Sequence, residues 1–357
     1  MNTLLLSPEL FLADGGVARI LRLYLQALCA RAEPAGHVDS LVLNDPPGRD
    51  PRLGRYASAR LGEHVGCARG KLRFLRETVR LGRRADAIVC GHLHLLPAAW
   101  LAQRLHPRLD YYLVAHGIEV WRPYGPAERR ALLGARRILC VSDYTRRQLR
   151  RFLPALPPSR LVVVPNTLDP LFTPDPAPPA AAPDGPRLLT VSRLTASDSY
   201  KGIDTLIEAM PLVLRDLPGA RLRIVGDGDD RPRLRALAER LGVASAVTFL
   251  GAVDDDTLRA AYAACDCFAL PSRREGFGLV YLEAMAYGKP CIGARAGGAP
   301  EVIHDAVGEL VDYGDVPALA AAVVALARRP RDSEIVRRHA AAFAFPAFAT
   351  RVAAALA

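Results

Sequence analysis

The chain has 357 residues, half of them hydrophobic, with a net charge of +10 and seven cysteines. That length accommodates two domains, and that apolar share builds a large core and excludes a disordered chain. The charge is lopsided: residues 1–175 hold 26 Lys and Arg against 15 Asp and Glu, the remainder 21 against 22. A basic first half points to an anionic neighbour such as a membrane surface, a phospholipid, nucleic acid or a phosphorylated substrate; a solvated face of an Arg-rich chain is the equal alternative.

The N-terminal run "TLLL" is short and broken by Pro8 and Glu9, so no signal peptide is expected. Short β-rich runs then alternate with helical patterns. The first half offers six strand candidates, "TLLL", "SLVL", "AIVCG", "YYLVA", "RILCV" and "LVVV". Continuous apolar strands between amphipathic helices read as a parallel sheet covered on both faces. After the first strand, "SPELFLADGGVARIL" sets Gly15 and Gly16 before a helix, where bare backbone and a helix start suit an anion or make an ordinary turn. The stretch 69–84, "RGKLRFLRETVRLGRR", has seven cations against Glu77, with Leu72, Leu75 and Val79 as an apolar stripe. Such a helix either lies on anionic headgroups or packs on the sheet with a solvated basic back. His92 and His94 follow one strand and read as structural, with no third metal ligand assignable; His116, in "VAHGIEVW", follows the next and can polarise a bound substrate.

Seven prolines crowd residues 170–186, a composition that makes a semi-rigid connector. The expected organisation is a first domain over 1–169, this linker, and a second domain over 187–342, with a final helix at about 343–357. The second half repeats the pattern with "RLLTVS", "RLRIVG", "AVTFLG", "CFALP", "PCIGA" and "GELVD". Arg193 ends one strand, and Lys201-Gly202 open a helix, so the two cations can clamp a diphosphate. Gly226 and Gly228 resemble the start of a dinucleotide fingerprint, but Arg231 replaces its third glycine. The acids of "DGD" at Asp227 and Asp229 and of Asp254–Asp256 suit turns and helix caps better than a metal. Cys265 and Cys267 form the only close cysteine pair, with no second pair to complete a zinc site, so free thiols in a reducing cytosol are expected. "VPALAAAVVALA", the longest apolar run, falls short of the ~20 residues of a membrane span, so a soluble or peripheral protein is expected.

The sharpest stretch is "REGFGLVYLEAM". Glu275 precedes a Gly276-Phe277-Gly278 turn, a helix follows, and Glu283 lies about one turn inside it. Free amides of the first turn favour an anion, the glycines keep side chains away, and Glu283 can accept paired ribose hydroxyls. Acids on two sugars, with cations and amides on a diphosphate between them, describe a nucleotide sugar. A capped core helix with incidental acids is the alternative, and Arg193 and Lys201 upstream weigh against it.

These residues together resemble the retaining glycosyltransferases of family four, on the GT-B fold. The resemblance is carried by Glu275 and Glu283 with seven residues between them, Gly-Phe-Gly included, Arg193 with Lys201-Gly202, "GGAPEVI" from Gly297 to Ile303, the "GGVARI" loop, His116, and "VPNTLD" with Asn166 and Asp169. It implies two Rossmann-like α/β domains facing each other across a cleft, the final helix packing back onto the first. Arg193 and Lys201 would hold the donor diphosphate, Glu283 the ribose and Glu275 the donor sugar. The backbone at Phe277, Gly278 and Leu279 would lie near sugar and phosphate, with Gly276 and Gly226 in the donor pocket, Gly16 near the phosphates and His116 on the acceptor side. The segment "TASDSY" is longer than in many members and bears on how Lys201 is presented.

The activity so implied is transfer of a hexose from a UDP- or GDP-linked donor to a hydroxyl of a glycan or lipid-linked acceptor, with retention, no metal and no other cofactor. The expected partners are donor, acceptor and an anionic membrane surface met through residues 69–84. Charge alone, without a recognition motif, does not make a nucleic-acid binder. The expected location is the cytoplasm or the inner face of the cell membrane. A nucleotide-sugar epimerase on the same fold, or a non-catalytic partner that binds nucleotide sugar, are the rival readings.

Overall fold

The computed structural model describes all 357 residues except Asp14, 33–35, 171 and 173–184. Most of the Pro-rich stretch 170–186 therefore lies outside the described residues. The chain divides into two compact units, Met1–Asp169 with Ala344–Ala357, and Pro170–Phe343.

In the first unit seven parallel strands, β1 (Thr3–Ser7), β2 (Val38–Val42), β3 (Leu61–Gly66), β4 (Ala87–Cys90), β5 (Asp110–Ala115), β6 (Arg137–Cys140) and β7 (Leu161–Val163), pair in the order 3-2-1-4-5-6-7. Helices α1 (Gly16–Arg31), α2 (Leu53–Tyr56), α3 (Lys71–Gly82), α4 (Leu96–Leu105), α5 (Pro126–Gly134) and α6 (Asp143–Phe152) connect them. Strands β1, β2 and β4 are buried along their whole length. A parallel sheet covered on both faces requires this, and it is why β1 and β4 are legible as apolar runs, whereas β2 buries Asp39 and Ser40 within it.

The strand missing from the expected set is β3. Its residues Leu61–Val65 are only half-buried, and it carries Glu63, His64 and two glycines. It sits at the sheet edge, where one flank has no neighbour to select apolar residues. Its pairing with β2 slips where the Glu63 amide donates to Asp39 Oδ1 at 2.8 Å.

The second unit has six parallel strands, β8 (Arg187–Val191), β9 (Arg221–Val225), β10 (Val247–Gly251), β11 (Cys267–Leu270), β12 (Cys291–Ala294) and β13 (Gly308–Val311), in the order 10-9-8-11-12-13. Helices α7 (Ile203–Asp216), α8 (Arg231–Arg240), α9 (Asp255–Ala264), α10 (Leu279–Ala286), α11 (Val316–Arg328) and α12 (Ser333–Ala341) surround them. In each unit the chain winds one way from a central strand and then returns to its other side. The switch falls between β1 and β4 in one sheet and between β8 and β11 in the other. Loops at the carboxyl ends of strands flanking such a switch diverge and leave a crevice for a ligand.

The last helix, α13 (Phe345–Leu356), packs on α1 in the first unit. The Phe348 ring meets Tyr24 edge-on at 5.0 Å, and Arg137 donates to the terminal carbonyls of Ala354 and Ala355. Residues Ser333–Leu356 form a 24-residue stretch holding an 18-residue window of mean hydropathy 1.3, apolar and long enough by composition to cross a membrane. It is two helices divided between the units at Ala344, with Phe348, Val352, Ala355 and Leu356 buried against the first. All seven cysteines are buried free thiols.

Candidate functional site

The loops flanking the second switch, after β8 and after β11, carry Arg193, Lys201 and Glu275. Residues Ala196–Lys201 close the first of them as a short 3-10 turn ending at Gly202, and α7 starts directly after it. This fold of "TASDSY" presents Lys201 inward: its Nζ lies 2.7 Å from Glu275 Oε2, with both side chains mostly buried. The expected diphosphate cation and the expected sugar-binding acid thus hold each other. Arg193 is 72% exposed and its Nη2 lies 2.9 Å from Asp198 Oδ2, a charge contact without hydrogen-bond alignment. Asp198 also accepts the Tyr200 hydroxyl at 2.9 Å.

Helix α10 begins at Leu279 behind Gly278, which adopts the left-handed conformation (φ +93°) and offers no side-chain cap. Its first-turn amides therefore remain without a capping side chain, beside Glu275 and Lys201. The turn before it is braced from "GGAPEVI". The Gly298 amide donates to the Glu275 carbonyl at 2.7 Å, and a Cβ on Gly298 would stand 2.3 Å from the Gly276 oxygen. Phe277 is buried, its ring edge-on to Phe343 at 5.7 Å, so its side chain serves packing and only its backbone faces the loop. Glu283 is buried and accepts the Tyr262 hydroxyl at 2.8 Å, which aims the carboxylate.

The loop after β9 carries Gly226, where a Cβ would stand 1.8 Å from the Ser192 carbonyl oxygen. That glycine lets this loop lie against the one carrying Arg193. The two loops are laced together: the Leu194 amide donates to the Asp227 carbonyl, Asp230 to that of Leu194, and Ala196 to the Asp229 carboxylate. Asp227 pairs with Arg231 and Asp230 with Arg233. Asp254 caps α9 by accepting the Thr257 amide. Among the described residues no cluster of three His, Cys, Asp or Glu could hold a metal. Sequence reasoning passed over Asp198, Tyr200 and Tyr262. The first two lie between Arg193 and Lys201, and that placement was the one available signal.

In the first unit the loops after the strands hold Gly15, Gly16 and the histidines. Gly15 caps α1 without a side-chain hydrogen bond, and Gly16 is its first residue. The loop before it is fixed by the buried Asp45, whose carboxylate accepts the amides of Leu10, Phe11 and Leu12. The buried Arg22 closes it from the other side, donating to the Leu10 carbonyl at 2.6 Å. His116 sits just past β5 with Nε2 2.8 Å from the Gly91 carbonyl. A carbonyl only accepts, so Nε2 carries the proton and Nδ1 is left as an acceptor. Burial pushes His116 down to about 4, and the same cause does so for the neighbouring His92. Both rings are thus neutral at pH 7.

Along α3 the basic run is uneven. Arg80 bonds Glu63 and Glu77, Arg84 bonds Asp39 and Glu63, and Arg76 reaches Glu77. Arg69, Lys71, Arg73 and Arg83 make no ion pair among the described residues. Leu72 stands 85% exposed among the first three, while Phe74 and Leu81 face the core.

Two family models match the chain in succession: Glycosyltransferase Family 4 over residues 15–171 and Glycosyl transferases group 1 over residues 185–329. A GDP-mannose-dependent alpha-(1-6)-phosphatidylinositol monomannoside mannosyltransferase of Mycobacterium tuberculosis is 39% identical over 231 residues, 59% of this chain and 58% of the relative. A D-inositol 3-phosphate glycosyltransferase of Geodermatophilus obscurus is 37% identical over 234 residues, 61% of this chain and 51% of the relative. The matched stretch thus spans little more than half the length of these relatives. Among solved structures, HepE of Anabaena in complex with UDP and glucose superposes with a TM-score of 0.79 at 21% identity, covering 99% of this chain and 98% of that one. Sucrose-phosphate synthase from Thermosynechococcus elongatus does so with 0.76 at 23%, covering 98% and 97%. At those identities the likeness establishes the fold, two Rossmann-like domains of the GT-B type.

Proposed function

The chain belongs to the group 1 glycosyltransferases of family 4, and from that premise we propose that it moves a hexose from a UDP- or GDP-linked donor to a hydroxyl of a glycolipid or glycan. The observation that carries the reading is the convergence of Arg193, Lys201, Glu275 and the uncapped start of α10 around one topological switch. The 37–39% identity to enzymes acting on a phosphatidylinositol mannoside and an inositol phosphate favours a phosphorylated or lipid-borne acceptor. The first of these is GDP-mannose-dependent, which makes GDP-mannose the first donor to try.

The chemistry follows from where charge develops. As the anomeric bond breaks, negative charge grows on the leaving diphosphate and positive charge on the sugar. Lys201, Arg193 and the α10 amides stabilise the first, a term that strengthens toward the transition state. Glu283, aimed by Tyr262, holds the ribose hydroxyls, and Glu275 orients the donor sugar once Lys201 turns to phosphate. Retention and metal independence are part of the proposal: two side-chain cations and a helix start occupy the role a divalent ion fills elsewhere. His116 Nδ1, unprotonated at pH 7, accepts an acceptor hydroxyl.

The unpaired cations at the start of α3, Arg69, Lys71 and Arg73 around exposed Leu72, support peripheral docking on an anionic bilayer at the inner face of the cell membrane. Further along, Arg76, Arg80 and Arg84 are engaged by Glu77 of the helix and by Asp39 and Glu63 of β2 and β3, so we place the contact at the N-terminal end.

Purified protein, GDP-mannose or UDP-glucose, and phosphatidylinositol or its mannoside in vesicles are the test. Formation of an α-linked glycolipid, undiminished by EDTA, supports the proposal. Release of free sugar or an altered donor without glycolipid, across both donors and both acceptors, contradicts it.

A further inference from the structure

The segment between Arg193 and Lys201 supplies an anion of its own. Asp198 is 8% exposed, lies 2.9 Å from the Arg193 guanidinium, and accepts the Tyr200 hydroxyl at 2.9 Å. Its position does not depend on Arg193. Its own amide donates to the Thr195 carbonyl, and the segment is tied to the loop after β9 through Leu194, Ala196 and Asp230. The Tyr200 ring lies under Lys201 at 5.6 Å and under Arg274 at 5.8 Å, so Asp198 and Tyr200 together touch both expected diphosphate cations, Arg193 and Lys201, and the neighbouring Arg274.

We infer that Asp198 is a built-in competitor for the donor's phosphate: its carboxylate occupies Arg193 in the free protein, and an incoming nucleoside diphosphate takes that guanidinium by displacing it. The inference rests on the donor-site reading above. Arg193, largely exposed, is the mobile partner; Asp198, buried and held by Tyr200, is the fixed one. When phosphate sits on Arg193, Asp198 therefore stays behind as a like charge within a few ångströms. At the edge of the protein such a charge opposes anion binding by a moderate, salt-dependent amount. It weakens donor and product alike and speeds release of the nucleoside diphosphate, a step that limits turnover in many enzymes. Asp198 is a positioning residue here, acting through Arg193 and not on the reacting atoms.

Calorimetric binding of GDP and UDP at low salt tests this. Asp198→Asn keeps shape and the Tyr200 contact but removes the charge. It should tighten the nucleoside diphosphate that wild type prefers by about three- to tenfold, an effect that shrinks as salt rises. In an Arg193→Ala background, with the competition for the guanidinium gone and only the residual like-charge repulsion left, the same substitution should tighten binding clearly less. Tyr200→Phe, which frees the carboxylate from its anchor, should tighten binding less and decides the matter if Asp198→Asn does not fold. In steady state Asp198→Asn should lower both KM for the donor and kcat. Unchanged or weaker binding in Asp198→Asn, or tightening just as large without Arg193, overturns the inference while leaving the donor site standing. Wild type that binds neither nucleotide overturns both.

Discussion

Lys201 and Glu275 are engaged with each other before any ligand arrives, so substitutions at the two should separate diphosphate binding from sugar handling. A charge-assisted contact of this kind contributes about 1.5–3 kcal/mol. Lys201→Ala should weaken nucleoside diphosphate binding by about ten- to a hundredfold. Glu275→Gln should leave that binding within about threefold of wild type and lower transfer by about a hundredfold, the size of an effect confined to the reacting sugar. Calorimetry and initial rates on the same preparations read both. The histidines give a pH signature. His116 and His92, held near 4 in the fold, titrate near 6.5 once unfolded. Their contribution to stability is complete above about pH 6.5 and is lost as pH falls toward 4, because the unfolded chain takes up protons that the folded rings refuse. Each should have lost about 1–2 kcal/mol by pH 5. The melting temperature should drop between pH 7 and 5, and His116→Gln should flatten that slope; an equal slope in the variant contradicts the assignment.

Elements place these residues through backbone contacts that no residue pattern announces. The spacing of Glu275 and Glu283 around Gly-Phe-Gly is visible in the sequence, as are the cations upstream and the helix that follows. What "GGAPEVI" does is not visible. Gly297 and Gly298 lie flat on the Glu275 and Gly276 carbonyls, and only the fold brings residues twenty-two apart into that contact. Gly298→Ala should therefore displace the carboxylate loop. We expect more than tenfold loss of donor affinity together with faster amide exchange over residues 274–280; unchanged exchange with lost affinity would assign Gly298 to the ligand instead. The strand β3 escaped for a related reason. An edge strand with polar residues lacks the apolar run by which buried strands such as β1 and β4 are read. Asp198 escaped because a sequence shows which carboxylates are near in number, not which of them turns inward beside an arginine.

At the scale of the molecule, the charge asymmetry that composition reveals is sharpened by pairing. Along residues 69–84, Glu77 of the run and Asp39 and Glu63 of the adjoining strands engage Arg76, Arg80 and Arg84 toward its rear and leave its front exposed. Flotation with vesicles rich in anionic lipid should carry the protein upward at low salt and lose it as salt rises. Leu72→Glu with Arg73→Glu should abolish flotation while leaving transfer to a short, soluble acceptor intact. Equal flotation of that variant removes the membrane contact and leaves the enzyme reading untouched.

The most direct test of the central claim is a crystal structure with the bound nucleotide sugar or nucleoside diphosphate. The diphosphate is expected within hydrogen-bonding distance of Lys201, Arg193 and the first amides of α10, with the ribose on Glu283 and the Lys201–Glu275 contact opened. A ligand seated away from the loops after β8 and β11, with Lys201 still on Glu275, would contradict it.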